Sequence, residues 1–182
     1  MIELSTTFCQ TAAVTRWLTP DEQRSWRNFL EAHRLVFARL ERQLQAEHDL
    51  SHWDYEILVR LSEAPQRRLR MSDLADATLS SRSRLSHAVG RMERLGWIDR
   101  EGCPDDKRGT LARLTDAGFV ALEAAAPGHV EEVRRSLVDR MSADEFAALG
   151  AIFEALVRQL EAPDVADTRG TQAPSAQSLP AT

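Results

Sequence analysis

Apolar residues recur at helical spacing through most of the chain. The first run opens at Thr19-Pro20-Asp21-Glu22, which reads as an N-cap, a proline at the first helical position and a glutamate placed to close a capping box. Trp26, Phe29, Leu30, Val36, Phe37, Leu40 and Leu44 then share one face, which predicts a long helix to about His48. Ser51 caps a second helix with Trp53, Ile57, Leu58 and Leu61 inward, and Ala64-Pro65 ends it. After a short basic loop, Gln66 to Arg70, Ser72 is expected to cap a short helix carrying Leu74 and Ala75. Ser81 caps another, with Leu85, Ala88, Val89, Met92 and Leu95 on one side, and Gly96 stops it.

The period then changes. Trp97 to Arg100 and Leu111 to Leu114 read as short strands around the turn-rich stretch Glu101 to Thr110, together a two-stranded hairpin with a long tip. Thr115 caps a further helix through Phe119, Leu122, Val133 and Leu137, in which Pro127-Gly128 predicts a kink or break. Ser142-Ala143-Asp144-Glu145 is a second capping box. It opens a last helix with Phe146, Leu149, Ile152, Phe153, Leu156 and Leu160 expected inward. Residues 1–18 show no period and read as an arm. Residues 162–182 are Pro, Ala, Ser, Thr and Gln with almost no large apolar residue, the composition of a disordered tail.

Composition narrows the class. At 182 residues, 43% hydrophobic and 28% charged, the chain reads as one soluble globular domain with appended helices. No apolar run nears the roughly 20 residues of a membrane span. Glu3 and the lack of a basic-then-apolar opening argue against a secretory leader. Cys9 and Cys103 are the only cysteines, so neither a disulfide framework nor a Cys-x-x-Cys metal site is expected, and a reducing cytoplasm is the natural setting. No phosphate loop, His-Glu-x-x-His or Gly-x-Ser-x-Gly occurs, so no catalysis and no cofactor are expected. The histidines His33, His48, His52, His87 and His129 form no metal-ligand pattern.

The net charge of -5 excludes a uniformly basic coat but hides an asymmetry. Residues 66–113 hold 11 cations against 7 carboxylates, a net of +4, and the rest of the chain is net -9. With Leu85 centred on the buried side of its helix, Ser83, His87, Gly90 and Arg94 fall opposite. Arg84, Ser86 and Arg91 flank them, and Ser81 and Arg82 lie at the first turn. No acid precedes Glu93 on that helix. A solvent-facing helix usually gains from acid-base pairs at four-residue spacing, and this one forgoes them. Arginine bonds bidentately to guanine, serine to base or phosphate, and the helix N-terminus favours phosphate, so the face suits a major groove. Two short helices with a tight turn make a helix-turn-helix. Lys107 and Arg108 at the hairpin tip are placed for phosphates or a narrow minor groove, with Asp106 orienting Arg108. Arg67, Arg68 and Arg70 are candidate phosphate clamps beside a plain reading as a solvated loop.

The run Leu74 to Arg100, the sequence Asp106-Lys107-Arg108 and the sequence Leu114-Thr115-Asp116-Ala117-Gly118 together resemble the MarR family of winged helix-turn-helix transcription regulators, over roughly Leu18 to Leu160. The resemblance implies a mainly α (α+β) fold: a winged helix-turn-helix with a two-stranded wing, flanked by N- and C-terminal dimerisation helices. On this reading 1–18 is the arm and 19–161 the domain, with dimerisation helices at 19–63 and 116–161 and the DNA-binding lobe at 66–114; 162–182 is the tail. It also implies a homodimer on an inverted-repeat double-stranded DNA operator, with many members being repressors released by small phenolic or aromatic ligands or by oxidation. The stripes Trp26–Leu44 and Phe146–Leu160 independently call for a partner surface. Two residues depart from the family's pattern: Leu79 stands where many members have a turn glycine, and Gly90 where a polar residue is common.

Trp26, His33, Trp53 and Tyr55, with Phe29 and Phe37, could line an aromatic effector pocket, or could simply fill core and dimer contacts. Cys9 or Cys103 as a redox sensor, and a helical protein-interaction adaptor without DNA binding, are the alternative functions.

Overall fold

The computed structural model describes residues 15–103 and 106–162, with side-chain positions for 15–103 and 109–162. Cys9, most of the arm and the tail from 163 onward lie outside the described residues, as do the side chains of Asp106, Lys107 and Arg108. The described chain divides into two compact units, one ending at Ser136 and one beginning at Leu137, and each is described by itself.

In the first unit, α1 spans Pro20–His48. The capping box forms as the sequence predicts: Glu22 N–H donates to Thr19 Oγ1 at 3.3 Å, and Thr19 N–H donates to Glu22 Oε2 at 2.8 Å. Asp49, at φ 51°, ends the helix in the left-handed region. Helix α2 spans His52–Glu63 behind the Ser51 cap. A 3-10 turn at Pro65–Arg67 follows, with Gln66 and Arg67 both at positive φ.

The basic loop does not stay a loop. Arg68–Arg70 is a short strand, β1, paired antiparallel with β3, so the wing hairpin gains a third strand in the order β1-β3-β2. Helix α3, Met71–Ala77, begins directly after it. This corrects the Ser72 cap: Arg70 is the N-cap and gives no side-chain bond, and Ser72 Oγ instead bonds Asp73 Oδ1 at 3.0 Å. Helix α4 is Arg82–Arg94, capped by Ser81 Oγ accepting from Arg84 N–H at 3.2 Å. It closes at Gly96, where Gly96 N–H reaches Glu93 O and Trp97 N–H reaches Met92 O. Strands β2 (Ile98–Cys103) and β3 (Asp106–Leu114) run further than the sequence shows, and their register slips between Gly102 and Cys103.

One core joins these elements. Ile57, Leu58 and Leu61 of α2 meet Leu74 of α3, Leu85, Val89 and Met92 of α4, and Ile98 and Leu114 of the sheet. Helix α5, Asp116–Ser136, runs unbroken through Pro127, so the alternative of a break is corrected. Proline removes one backbone donor there, but α5 is held along α1. At Gly128 an added Cβ would lie 2.5 Å from Glu47 Oε2 and 2.7 Å from Gln43 Nε2, both on α1.

The second unit holds a 3-10 turn, Val138–Arg140, and α6, Ala143–Glu161, opened by the Ser142-Glu145 capping box. The α6 face expected inward is not covered: Phe146, Ile152, Phe153, Leu156 and Leu160 are all exposed. Among the described residues no helix is long and apolar enough to cross a membrane.

Candidate nucleic-acid interface

Amphipathicity sets the recognition face. Burying Leu85, Ala88, Val89 and Met92 turns the other side of α4 outward, and Ser81, Arg82, Ser83, Arg84, His87 and Arg91 are exposed there, with Ser86 half-buried. The turn that presents this helix is tight. Ser80 N–H donates to Ala75 O and Leu79 N–H to Asp76 O, a Schellman closure of α3, and Thr78 Oγ1 adds a bond to Leu74 O at 2.8 Å. Leu79 takes the left-handed position of that closure at φ 46°. This is why glycine suits the site, and why a leucine there is strained.

The arginines separate by what holds them. Arg82 and Arg84 have no carboxylate partner among the described residues. Arg84 lies over the Trp53 ring, 4.4 Å from its centroid. Arg91 is paired with both oxygens of Asp54, a carboxylate only 5% exposed. Arg94 donates to Gly90 O within its own helix. Arg67 is not a free clamp: its guanidinium stacks 3.8 Å from the Phe119 centroid and bonds Asp116 at 3.2 Å. Arg68 joins a ladder on the sheet, 3.8 Å from Glu101, which also pairs with Arg113 at 2.6 Å.

Arg70 and Arg82 converge. With Met71, Ser72, Ser86, Arg100, Gly109 and Thr110 they line a concavity of about 420 Å³ between the start of α3, the outer side of α4 and the wing strands. Arg100 is fixed there by donation to Ser86 O at 2.7 Å and by Glu93 at 3.4 Å. Sequence reasoning missed Arg100, Thr110 and Asp54. Strand alternation placed Arg100 only as a strand residue, and nothing local marks an acid in the first turn of α2 as a partner for an arginine 37 positions later.

Three of the four residues read as a ligand pocket join a continuous line of rings. Trp26 stacks on Phe29 at 5.7 Å, and Phe29, His33, Phe37 and His52 follow at 6.4, 4.4 and 5.0 Å. His129 of α5 sits 5.7 Å from His52 and 4.4 Å from Tyr55. Trp53 departs from this set and lies under Arg84. Cys103, at the end of β2, is buried, whereas a sensing thiol is accessible.

Burial holds both His52 and His129 below the ordinary histidine value of 6.5, and the two rings oppose each other's charge at His129. Glu41 and Glu56 only partly offset this at His52. The unfolded chain therefore takes up these protons first as pH falls. Stability is complete above 6.5 and declines as pH drops through that value toward the folded ones. The capping carboxylates Glu22 and Glu145, held low by backbone bonds, add their own loss only as pH falls below 4.5. Thermal melts from about pH 8 to about pH 5 should show a falling midpoint that His129→Gln flattens. A flat wild-type profile across that range would refute the assignment.

A family model described as MarR family matches residues 48–109. Sco3205, a MarR family transcriptional regulator from Streptomyces coelicolor crystallised in complex with DNA, is 45% identical, with a TM-score of 0.77, over 84% of this chain and 96% of that one. The chain belongs to the MarR family. AbsC, another MarR family regulator from Streptomyces coelicolor, is 44% identical over 80% of this chain and 98% of its own, with a TM-score of 0.74. The regulator PecS of Dickeya dadantii is 27% identical over 117 residues, 63% of this chain and 69% of its own length. This MarR-family chain is thus a transcriptional regulator with a DNA-binding fold, and its relatives are regulators rather than enzymes.

Proposed function

We propose that this MarR-family regulator is a cytoplasmic repressor that binds an inverted-repeat operator as a homodimer and is released by a small aromatic ligand. The observation that carries the reading is the outer face of α4, where exposed Arg82 and Arg84 have no carboxylate partner among the described residues and Arg82 lines a concavity with Arg70 and Arg100. Ser81, Arg82, Ser83, Arg84, Ser86 and His87 meet the major groove, with Arg91 oriented by Asp54. Arg70 serves the phosphates at the edge of the concavity. Lys107 and Arg108, on the wing, take phosphates or the minor groove. Arg67 and Arg68 act through the fold: each meets a carboxylate, and neither lines the concavity. The DNA seen bound to Sco3205 supports the partner class. Helices at 19–63 and 116–161 serve the dimer and 66–114 the DNA lobe. The ring line from Trp26 to His129 and Tyr55 supplies an apolar surface for a flat ligand, with His33 and His52 as its polar groups.

Genome-wide footprinting supplies the operator, and fluorescence anisotropy then compares it with scrambled duplex. Arg84→Ala should narrow the preference for the operator by about 5- to 150-fold, the equivalent of roughly 1–3 kcal/mol for a bidentate base contact. Unchanged preference and affinity would overturn the groove assignment. Adding benzoates or phenols should weaken operator binding as Trp fluorescence quenches. Quenching without release would leave a regulator that is not controlled at the ring line.

A further inference from the structure

The first turn of α2 faces two ways. Asp54 and Trp53 point to α4: Asp54 holds Arg91, and the Trp53 ring lies against the Arg84 guanidinium. His52 and Tyr55, on either side of them in sequence, contact His129 of α5, and His52 also meets Phe37 of α1. Four consecutive residues thus join the recognition helix to the ring line.

The sign of Asp54 is the informative part. A carboxylate beside a phosphate-binding face repels the partner, and a buried one also costs desolvation. At 5% exposure Asp54 keeps that cost, and both of its oxygens lie on one nitrogen, Nη2, of Arg91. A guanidinium carries five donors in a rigid fork. Anchoring Nη2 leaves Nε and Nη1 on the half-exposed side chain. Trp53 holds Arg84 by a cation–π contact that uses none of its N–H donors, the guanidinium carbon lying 4.4 Å from the ring centroid.

We propose that Asp54 and Trp53 are positioning residues for DNA reading: they clamp the guanidiniums of Arg91 and Arg84 in the orientation that meets the groove. This rests on the groove assignment of α4 made above.

The test uses the full chain, the footprinted operator and a scrambled duplex of equal length, with a thermal melt of each variant. Wild type should prefer the operator. Asp54→Asn should lose about 10-fold of that preference, while Asp54→Asn combined with Arg91→Ala should lose no more than Arg91→Ala alone, since the two act as one unit. Trp53→Phe should keep most of the preference and Trp53→Leu should not. Arg91→Lys retains the charge and the partner but not the fork, so it should lose preference even if Asp54→Asn fails to fold. A Tm that falls in Asp54→Asn with an unchanged operator-to-scrambled ratio, or additive losses in the double variant, would overturn the proposal. Wild type without any operator preference would instead bring down the groove assignment, and this inference with it.

Discussion

Gly118→Ala is expected to destabilise the winged unit by about 3 kcal/mol or more, at the upper end of overpacking costs. A Cβ at Gly118 would lie 2.2 Å from Trp97 O, 2.9 Å from Trp97 C and 2.7 Å from Leu114 Cδ1. Backbone is the obstacle, and it is pinned. Trp97 N–H donates to Met92 O, while Trp97 O accepts from Thr115 N–H at 3.0 Å and from Thr115 Oγ1 at 3.1 Å. Thr115 Oγ1 in turn accepts from Gly118 N–H at 3.0 Å. The run Leu114 to Gly118 is therefore a joint: it ties the end of α4, the start of β2 and the start of α5 at one point. A loss of 3 kcal/mol should lower the melting temperature by roughly 6–12 °C in a chain of this size. Gly90→Ala is the control. Its Cβ would meet only Arg100 Nη2, at 3.5 Å, and alanine favours a helix interior by about 1 kcal/mol. A Gly118→Ala midpoint matching wild type would show that the joint yields, and would remove this account of the glycine.

The same joint shows what the sequence can and cannot disclose. Caps are local chemistry, so Thr19, Ser51, Ser81, Thr115 and Ser142 were each legible as helix starts, and Gly96 as a stop. Strand β1 was not. Its three residues are all half-buried with no alternation, and it exists only because β3 offers it an edge. That pairing also starts α3 at Met71, one residue before the serine that looked like its cap. Pro127 signalled a break because the rule is local, whereas α1 lies along α5 and holds the helix through it.

In the candidate site, periodicity identified the outward face of α4, because burial of Leu85 and Val89 decides it. It could not sort the arginines. Arg67 and Arg91 look like Arg82 in sequence, but Asp116 and Asp54 engage them from 49 and 37 positions away. Periodicity also found the α6 stripe but not what covers it.

Splitting the proposed homodimer should cost operator affinity more than the loss of any single base contact. Taken alone, α6 presents Ile152 at 63% exposure and Leu160 at 75%, with Phe153, Leu156 and Val157 also exposed beside them. Taken alone, α1 presents Trp26, Phe29 and Leu30, each more than two-fifths exposed. Contiguous apolar surface of this kind is rare on a monomer unless something binds it. If a second copy covers it, each recognition helix owes its apparent affinity to its twin on a half-site about 34 Å away. Tethering of that sort multiplies affinity by about 10²- to 10⁴-fold without any added contact. Ile152→Gln combined with Leu156→Gln removes the apolar face and leaves the net charge, and so the long-range attraction for DNA, unchanged. Light scattering should then report a monomer. Operator affinity should fall by about 10²- to 10⁴-fold, while the circular dichroism spectrum stays helical. Binding to a single half-site should persist at near wild-type strength, because α4 and the wing are untouched. A double variant that remains a dimer would place the interface elsewhere. A monomer that kept full operator affinity would mean that one winged lobe reads the operator by itself.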